Sequence, residues 1–517
     1  MMTKKGLLFA TLLLLSTCLL SAQEGGIKVY PSRHGVETGA QHKTLLAIEL
    51  EEPLKRSDQL QFRFAIPTES QRLIESLEIL SSDSLAVRDL DDYKGRVKYA
   101  THPLNSWCEA TLTGKVYEGA KVLYLSANLA TPEHYSPHHI LRCRMKELSL
   151  NGQTVEAKQV GDETFRRFFR SYKPLFVPGD GGSRNYRIPV IHKTQSGVLL
   201  AFADRRKFNQ TDIPEDIDII QRRSFDNGKT WSEPEILIRG TGHGKGYGDV
   251  AVVQAKSGKL VMLFIGGQGL WHGRPDTPMP TYMMTSGDDG ATWSPARDIT
   301  HFIYGSECTD PQRSQLWSAF CASGQGAVTE SGRIMFVTAI RPDANYRLDN
   351  YLVYSDDEGE TWQVSERAYA GGDESKVIVM PDGAILMSIR NPHKGDRIFR
   401  VSYDEGKTWQ PTQDYAGLHD PACNGAPLLM EQNGLKMLLH SLPYGPNKRW
   451  NGALYGYDPY RQQWSDAVVI NPGMSAYSDM VDLGDGLIGY FVEEDDEMSM
   501  VFITFTLEDL QAMQREH

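Results

Sequence analysis

Six times between residues 196 and 491 the chain sets a turn glycine directly before an apolar run. The runs are Ser196-Gly-Val-Leu-Leu-Ala-Phe202, Ser257-Gly-Lys-Leu-Val-Met-Leu-Phe264, Ser331-Gly-Arg-Ile-Met-Phe-Val337, Asp382-Gly-Ala-Ile-Leu-Met-Ser388, Asn433-Gly-Leu-Lys-Met-Leu-Leu439 and Asp485-Gly-Leu-Ile-Gly-Tyr-Phe491. The glycines stand at 197, 258, 332, 383, 434 and 486, at intervals of 61, 74, 51, 51 and 52 residues. A repeat of this length holds four short strands and their loops, which is one blade of a β-propeller. Six units predict six blades.

A second repeat runs in register with the first. Ser-x-Asp-x-Gly-x-Thr-Trp spans Ser224 to Trp231, Ser286 to Trp293, Ser355 to Trp362 and Ser402 to Trp409. Asp226, Asp288, Asp357 and Asp404 are suited to accept backbone N–H groups across a bend. The glycine supplies positive φ, and the tryptophan has a large face to bury between sheets. Repeated turn chemistry needs no substrate, so these four aspartates read as structural.

In a propeller the innermost strands begin around one end of a central channel, so functional residues should recur at a fixed offset before the blade glycines. Arg187 lies ten residues before Gly197, and Asp249, Glu374 and Tyr477 lie nine before Gly258, Gly383 and Gly486. Arg206, Arg341 and Arg390 follow their glycines by nine, nine and seven residues, on second strands or the loops beyond. The chain as a whole is acidic, with 54 Lys and Arg against 66 Asp and Glu and a net charge of −12. That balance argues against nucleic acid as a partner. Arginines gathered at one mouth of an acidic protein point to a ligand bearing a carboxylate, sulfate or phosphate.

The 517 residues predict more than one domain. Lys4 and Lys5, the apolar stretch Gly6 to Leu20, and small Ser21 and Ala22 read as a secretory signal peptide over 1–22, so the expected location is periplasmic, extracellular or outer-surface. Cys18 sits where a lipoprotein cysteine would, with Thr17 a poor fit before it. No later segment is apolar for long enough to be a transmembrane helix. Residues 23–165 contain alternating stretches, Leu60 to Ala65 and Lys121 to Ser126, typical of half-buried strands in a β-sandwich-like domain. Thr164 to Pro174 would join it to the propeller, 170–517. Of five cysteines after the leader, Cys108 with Cys143 and Cys308 with Cys321 could clip loops, and Cys423 is left over. No metal-ligand spacing occurs.

Tyr186-Arg-Ile-Pro189, Ala201-Phe-Ala-Asp-Arg-Arg206, Ala476-Tyr-Ser478 and the four Asp boxes together resemble the bacterial sialidases, over about Leu175 to Leu507. The resemblance implies an all-β fold with a six-bladed propeller, no cofactor, and sialylated glycans as substrates. Carried over residue by residue, it implies that Arg187, Arg390 and Arg449 clamp a sialic acid carboxylate, with Lys448 and Arg461 as neighbouring alternatives to the third. Tyr477 would be the nucleophile, Glu374 its base and Asp212 the acid/base. Arg206 and Asp249 would contact other polar groups of the sugar, and Glu493 would orient Arg187. Asp212 shares its loop with Glu215, Asp216 and Asp218, of which Asp216 is the next candidate.

The chemistry agrees with this assignment. Sialic acid carries a carboxylate on its anomeric carbon, and a carboxylate nucleophile would meet like-charge repulsion there. A neutral tyrosine avoids it, and tyrosine nucleophiles are the recorded sialidase exception to the two-carboxylate pattern. A phenol of pKa about 10 requires an adjacent base near neutral pH. Two other functions use parts of the same set: a sialic-acid lectin, which needs none of Asp212, Tyr477 and Glu374, and a trans-sialidase, which adds an aromatic acceptor platform. Trp271 and Tyr444 are candidates to line the pocket, with hydrophobic packing the default for each. The N-terminal domain reads as a carbohydrate-binding module or a structural brace.

Overall fold

The computed structural model describes residues 26–514, apart from 86–90, 92–101, 105, 132–135, 162, 322, 433, 446–447 and 497. The expected signal peptide and Cys18 lie outside the described residues. Almost every described element is a strand.

The first strands form two facing sheets. One runs Ala157–Gln159, Ile27–Pro31, Lys43–Glu49, Val122–Leu129, Ile74–Ser82 and His102–Leu104 in spatial order. The other runs Val36–Glu37, Thr164–Phe169, Ile140–Leu150, Gln59–Ala65 and Glu109–Thr113. Leu60, Phe62 and Phe64 alternate inward from the second sheet to meet Leu46, Ile48, Leu123 and Leu125 of the first. This is a sandwich core. The stretch Lys121 to Ser126 departs from the expected half-burial, since Val122 to Ser126 are buried on both faces. Its strand is central, and Ala47, Leu80, Val122 and Tyr124 make a second small core on the far side.

Six blades follow. Their innermost strands are Asn185–Lys193, Gly246–Gln254, Ala327–Val328, Ser375–Val379, Pro427–Gln432 and the second half of Val468–Gly484. Each touches its neighbours in turn, and the last returns to the first, closing the ring. Asp479 helps the closure by accepting the Ile191 N–H at 3.1 Å. The sixth blade takes its outer strand, Ser171–Phe176, from the start of the module; it pairs antiparallel with Ser499–Thr506. The segment expected as a linker is therefore two strands, Thr164–Phe169 in the sandwich and Ser171–Phe176 in the propeller. Arg170 between them is paired with Asp509 at 2.7 Å.

All six repeat glycines have positive φ, between 72° and 96°, where a β-carbon is disfavoured. The four Ser-x-Asp turns are superimposable in their bonding. In each, the Thr N–H donates to one aspartate oxygen at 2.9 Å and the Thr hydroxyl to the other at 2.6 or 2.7 Å. The tryptophans bridge blades: Trp231 lies edge-on to Phe502 at 5.2 Å, and Trp293 Nε1 donates to Gln221 at 3.1 Å. None of the four aspartates lines the main cavity.

The possible cysteine clips are absent. Cys108, Cys143, Cys308, Cys321 and Cys423 are all free thiols, four of them buried and only Cys108 exposed. They serve as small apolar side chains. No helix among the described residues is long and apolar enough to cross a membrane.

Candidate active site

Three of the innermost strands bulge where they reach one mouth of the channel. The register slips between Arg187 and Val190, between Gly248 and Ala251, and between Ser475 and Ser478. Ile188 and Asp249, inside the first two slips, have φ of 65° and 56°. A bulge turns side chains that would otherwise continue the pleat, and here it brings Arg187, Asp249 and Tyr477 to a common cavity. Glu374 joins them from the residue before Ser375–Val379, and Arg390 from the residue after Ile385–Ile389. The Arg390 N–H donates to the Glu374 carbonyl at 2.8 Å, extending that strand pair by one rung.

The cavity has a volume of about 730 Å³. Asp212, Asp249, Glu374, Arg187, Arg390, Arg449 and Tyr477 all line it. Tyr477 is at its floor, surrounded by three guanidinium groups. Arg187 and Arg449 lie 5.1 and 5.0 Å from its ring centroid, and Arg390 Nη1 donates to its hydroxyl at 2.9 Å. Burial, and then the Glu374 carboxylate, push the Tyr477 phenol well above its usual range, against the pull of the arginines. The phenol is therefore held protonated.

The buried cations are fixed by specific acceptors. Glu493, fully buried, accepts Arg187 Nε at 2.6 Å and Ile188 N–H at 2.9 Å on one oxygen, and Tyr477 N–H at 3.0 Å on the other. One carboxylate thus ties the first and sixth blades together at the cavity floor. Arg390 Nη1 also donates to Glu374 at 2.5 Å, and its Nε lies 3.4 Å from Asp373. Arg449 Nη2 donates to the Ala422 carbonyl at 2.8 Å. Its alternative Arg461 is instead turned outward, 3.7 Å from Asp458 on the surface.

At the rim the acidic loop after Leu199–Arg206 is sorted by its lysine and arginine partners. Asp212 stands with a side-chain exposure of 79%, 2.5 Å from Arg206 Nη2. Asp216 is drawn away by Lys207 at 2.7 Å and does not line the cavity. Arg206 is itself buried behind Asp212, donating to the Gln210 carbonyl and facing Asp204 at 3.4 Å. The cavity-lining residues do not include it. Burial and neighbouring Asp204, Asp212 and Glu374 push the Asp249 carboxyl well above its usual range.

Trp271 lines the cavity mouth, its ring tilted against that of exposed Tyr346 with centroids 5.2 Å apart, whereas Tyr444 lies elsewhere on the surface. Arg341 braces that aromatic rim through the Trp271 carbonyl at 2.8 Å and the Ala344 carbonyl at 3.0 Å. The structure adds Asp373 and Asp204 to the charged groups around the cavity. Asp373 is the direct neighbour of Glu374, and Asp204 stands inside the Ala-Asp-Arg-Arg stretch, so a signal was present for both. No group of three or more candidate metal ligands occurs among the described residues.

A family model described as a BNR repeat-like domain matches residues 197–490. The chain belongs to this BNR repeat-like family. Among curated relatives, a sialidase of Micromonospora viridifaciens is 32% identical over 343 residues, covering 62% of this chain and 51% of the relative. A sialidase of Clostridium perfringens is 30% identical over 242 residues, covering 44% and 61%. The chain thus spans about half to three-fifths of the length of these relatives. The solved Hadza microbial sialidase Hz136 shares the fold over both modules, with a TM-score of 0.68 at 22% identity, covering 93% of this chain and 99% of that one. A Trypanosoma rangeli sialidase solved with the inhibitor DANA aligns with a TM-score of 0.54 at 21% identity, over 64% and 56%. The resemblance to bacterial sialidases and the all-β propeller expectation are both borne out by these matches.

Proposed function

We propose that this protein is a retaining exo-α-sialidase that hydrolyses terminal sialic acid from glycans through a tyrosyl intermediate. The observation that carries the reading is the enclosure of one buried tyrosine by three arginines on a cavity floor. A carboxylate substituent on the reacting carbon gives those arginines a partner and gives a neutral phenol its advantage over a carboxylate nucleophile. The names of the sialidase relatives support the same substrate class.

In this reading Arg187, Arg390 and Arg449 bind the carboxylate and turn the anomeric carbon toward Tyr477 Oη. The substrate carboxylate competes with Glu374 for Arg390 Nη1, which frees Glu374 to take the phenol proton. Tyr477 Oη bonds to the anomeric carbon as the glycosidic bond breaks, and Asp212 delivers a proton to the departing oxygen. Water then attacks that carbon, Asp212 recovers the proton, and Glu374 returns one to the phenol as the C–O bond to Tyr477 opens. Every proton moves between this chain's own carboxylates and the reactants. In the same reading Asp249, on the second blade, meets a polar group of the ring.

The exposed Trp271–Tyr346 pair supports a second reading, transfer of the sialyl group to a sugar hydroxyl in place of water. The N-terminal module reads as a brace: its Glu37 accepts Lys173 Nζ at 2.9 Å and Ser171 Oγ at 3.0 Å from the outer strand of the sixth blade. Export by the leader peptide belongs to the same proposal.

The deciding experiment incubates the mature chain with sialyllactose and, separately, with 2,3-difluorosialic acid followed by peptide mapping. Sialic acid release and a label on Tyr477 are expected. Sialyllactose bound but left intact would make the protein a lectin. Release with the label on a carboxylate would overturn the mechanism and keep the enzyme. A sialylated product formed when lactose is added in excess would favour transfer.

A further inference from the structure

Asp204 is fully buried at the end of the second strand of blade one, Leu199–Arg206, and each of its oxygens serves a different functional residue. Oδ1 accepts the N–H of Asp249 at 3.1 Å. Oδ2 faces Arg206 Nη2 at 3.4 Å, the same nitrogen that lies 2.5 Å from Asp212. The chain runs Asp249, Asp204, Arg206, Asp212 without a break, from the second blade to the exposed rim loop of the first.

Both ends of this chain need support. Asp249 sits in a strand bulge at φ 56°, a conformation a non-glycine residue holds only when its surroundings fix it. Gly248 beside it lets the two strands close: a β-carbon there would lie 2.6 Å from Asp204 Oδ2. Asp212 is the exposed end, on a loop with no regular structure. Arg206 is its anchor, and Asp204 and Gln210 keep Arg206 from swinging toward solvent. The charged groups facing Asp204 are Arg206 of its own strand, its register partner Arg187 on Asn185–Lys193, Asp249 of blade two and Asp212 of the loop. On Ile217–Ser224 the facing position is apolar Ile219.

We infer that Asp204 is a positioning residue that holds the proton-donating Asp212 in place through Arg206. It touches no substrate. The inference rests on the reading of Asp212 as acid/base. It goes beyond that reading by assigning a role to a buried carboxylate outside the cavity lining.

The test exploits leaving groups. Sialyllactose needs a proton on its departing oxygen, whereas an aryl sialoside with an acidic phenol leaves without one. The full chain carrying Asp204→Asn should lose about 10- to 100-fold in kcat on sialyllactose, with KM changed less, and under about 3-fold on the aryl sialoside. Asp212→Asn should show the same split more strongly. In the Asp212→Asn background, Asp204→Asn should then cost sialyllactose turnover little more, because both act through one proton. Gly248→Ala, which crowds Asp204 while keeping its charge, should reproduce the split if Asp204→Asn does not fold. Equal losses on both substrates, or full additivity with Asp212→Asn, would overturn the inference alone. No release of sialic acid from either substrate by the unaltered chain would overturn the sialidase reading, and the inference with it.

Discussion

Arg390 Nη1 lies 2.9 Å from Tyr477 Oη while the same nitrogen holds the Glu374 carboxylate. The proposed base and nucleophile are thus joined through a guanidinium rather than set side by side, and the planar fork lets one residue hold both and still face the cavity. A lysine is a single point charge and does not do all three. Arg390→Lys should lower kcat/KM for sialyllactose by about 100-fold or more, the scale for losing one preorganised donor. Steady-state kinetics with a parallel thermal melt checks it; a variant within about 5-fold of the parent would refute the bridging role.

Glu493 predicts a combined loss of stability and turnover. Glu493→Gln removes the carboxylate that holds Arg187 Nε and leaves a buried guanidinium without that counter-charge. Breaking a buried pair from one side costs about 3–5 kcal/mol. Denaturant titration should show a loss of that order, and Tyr477, whose N–H also donates to Glu493, should lose reactivity with it.

The opposite outcome is expected at the turns. Asp288 takes Ser286 Oγ, Thr292 N and Thr292 Oγ1 at 2.8, 2.9 and 2.6 Å, and these bonds hold its carboxyl down at about 2. Asp288→Ala should cost about 1–2 kcal/mol of stability, the worth of a few turn hydrogen bonds, and leave kcat on sialyllactose unchanged. A large fall in kcat with the fold intact would give that aspartate a role this structure does not assign.

His440 predicts a pH dependence of stability. Its Nδ1 faces the Ser441 carbonyl at 3.0 Å, which only accepts, so Nδ1 carries the proton and Nε2 accepts from Ser388 Oγ at 2.8 Å. Arg397 Nε in turn donates to Ser388 Oγ at 2.9 Å. Burial first, and then Arg397, hold the imidazole well below 6.5. As pH falls below about 6.5 the unfolded chain binds a proton at this position that the folded chain refuses. The folded state therefore loses up to about 1.4 kcal/mol per pH unit through this one group. Denaturant midpoints measured from pH 7 to pH 5 should fall more steeply for the parent chain than for His440→Asn; parallel slopes would exclude His440 as the source.

Much of this molecule was legible because its signals are local. A turn glycine at positive φ, and an aspartate accepting from a threonine four residues on, are settled within one bend, so six blades and four structural turns could be read directly. The common offset of Arg187, Asp249, Glu374 and Tyr477 before the glycines likewise follows from each blade repeating the same innermost strand. Other features depended on partners far away in the chain. Asp212 is separated from Asp216 only by where Arg206 and Lys207 point. The two-faced burial of Val122 to Ser126 needed a second core, and the sixth blade is completed by Ser171–Phe176 pairing with Ser499–Thr506, more than three hundred residues on. The repeat, the turns and the mouth-facing positions depend on backbone conformation over a few residues, and for that reason they are written in the chain itself. Which carboxylate each arginine takes is chosen by burial and distance between segments that no local pattern connects, so it exists only in the folded molecule.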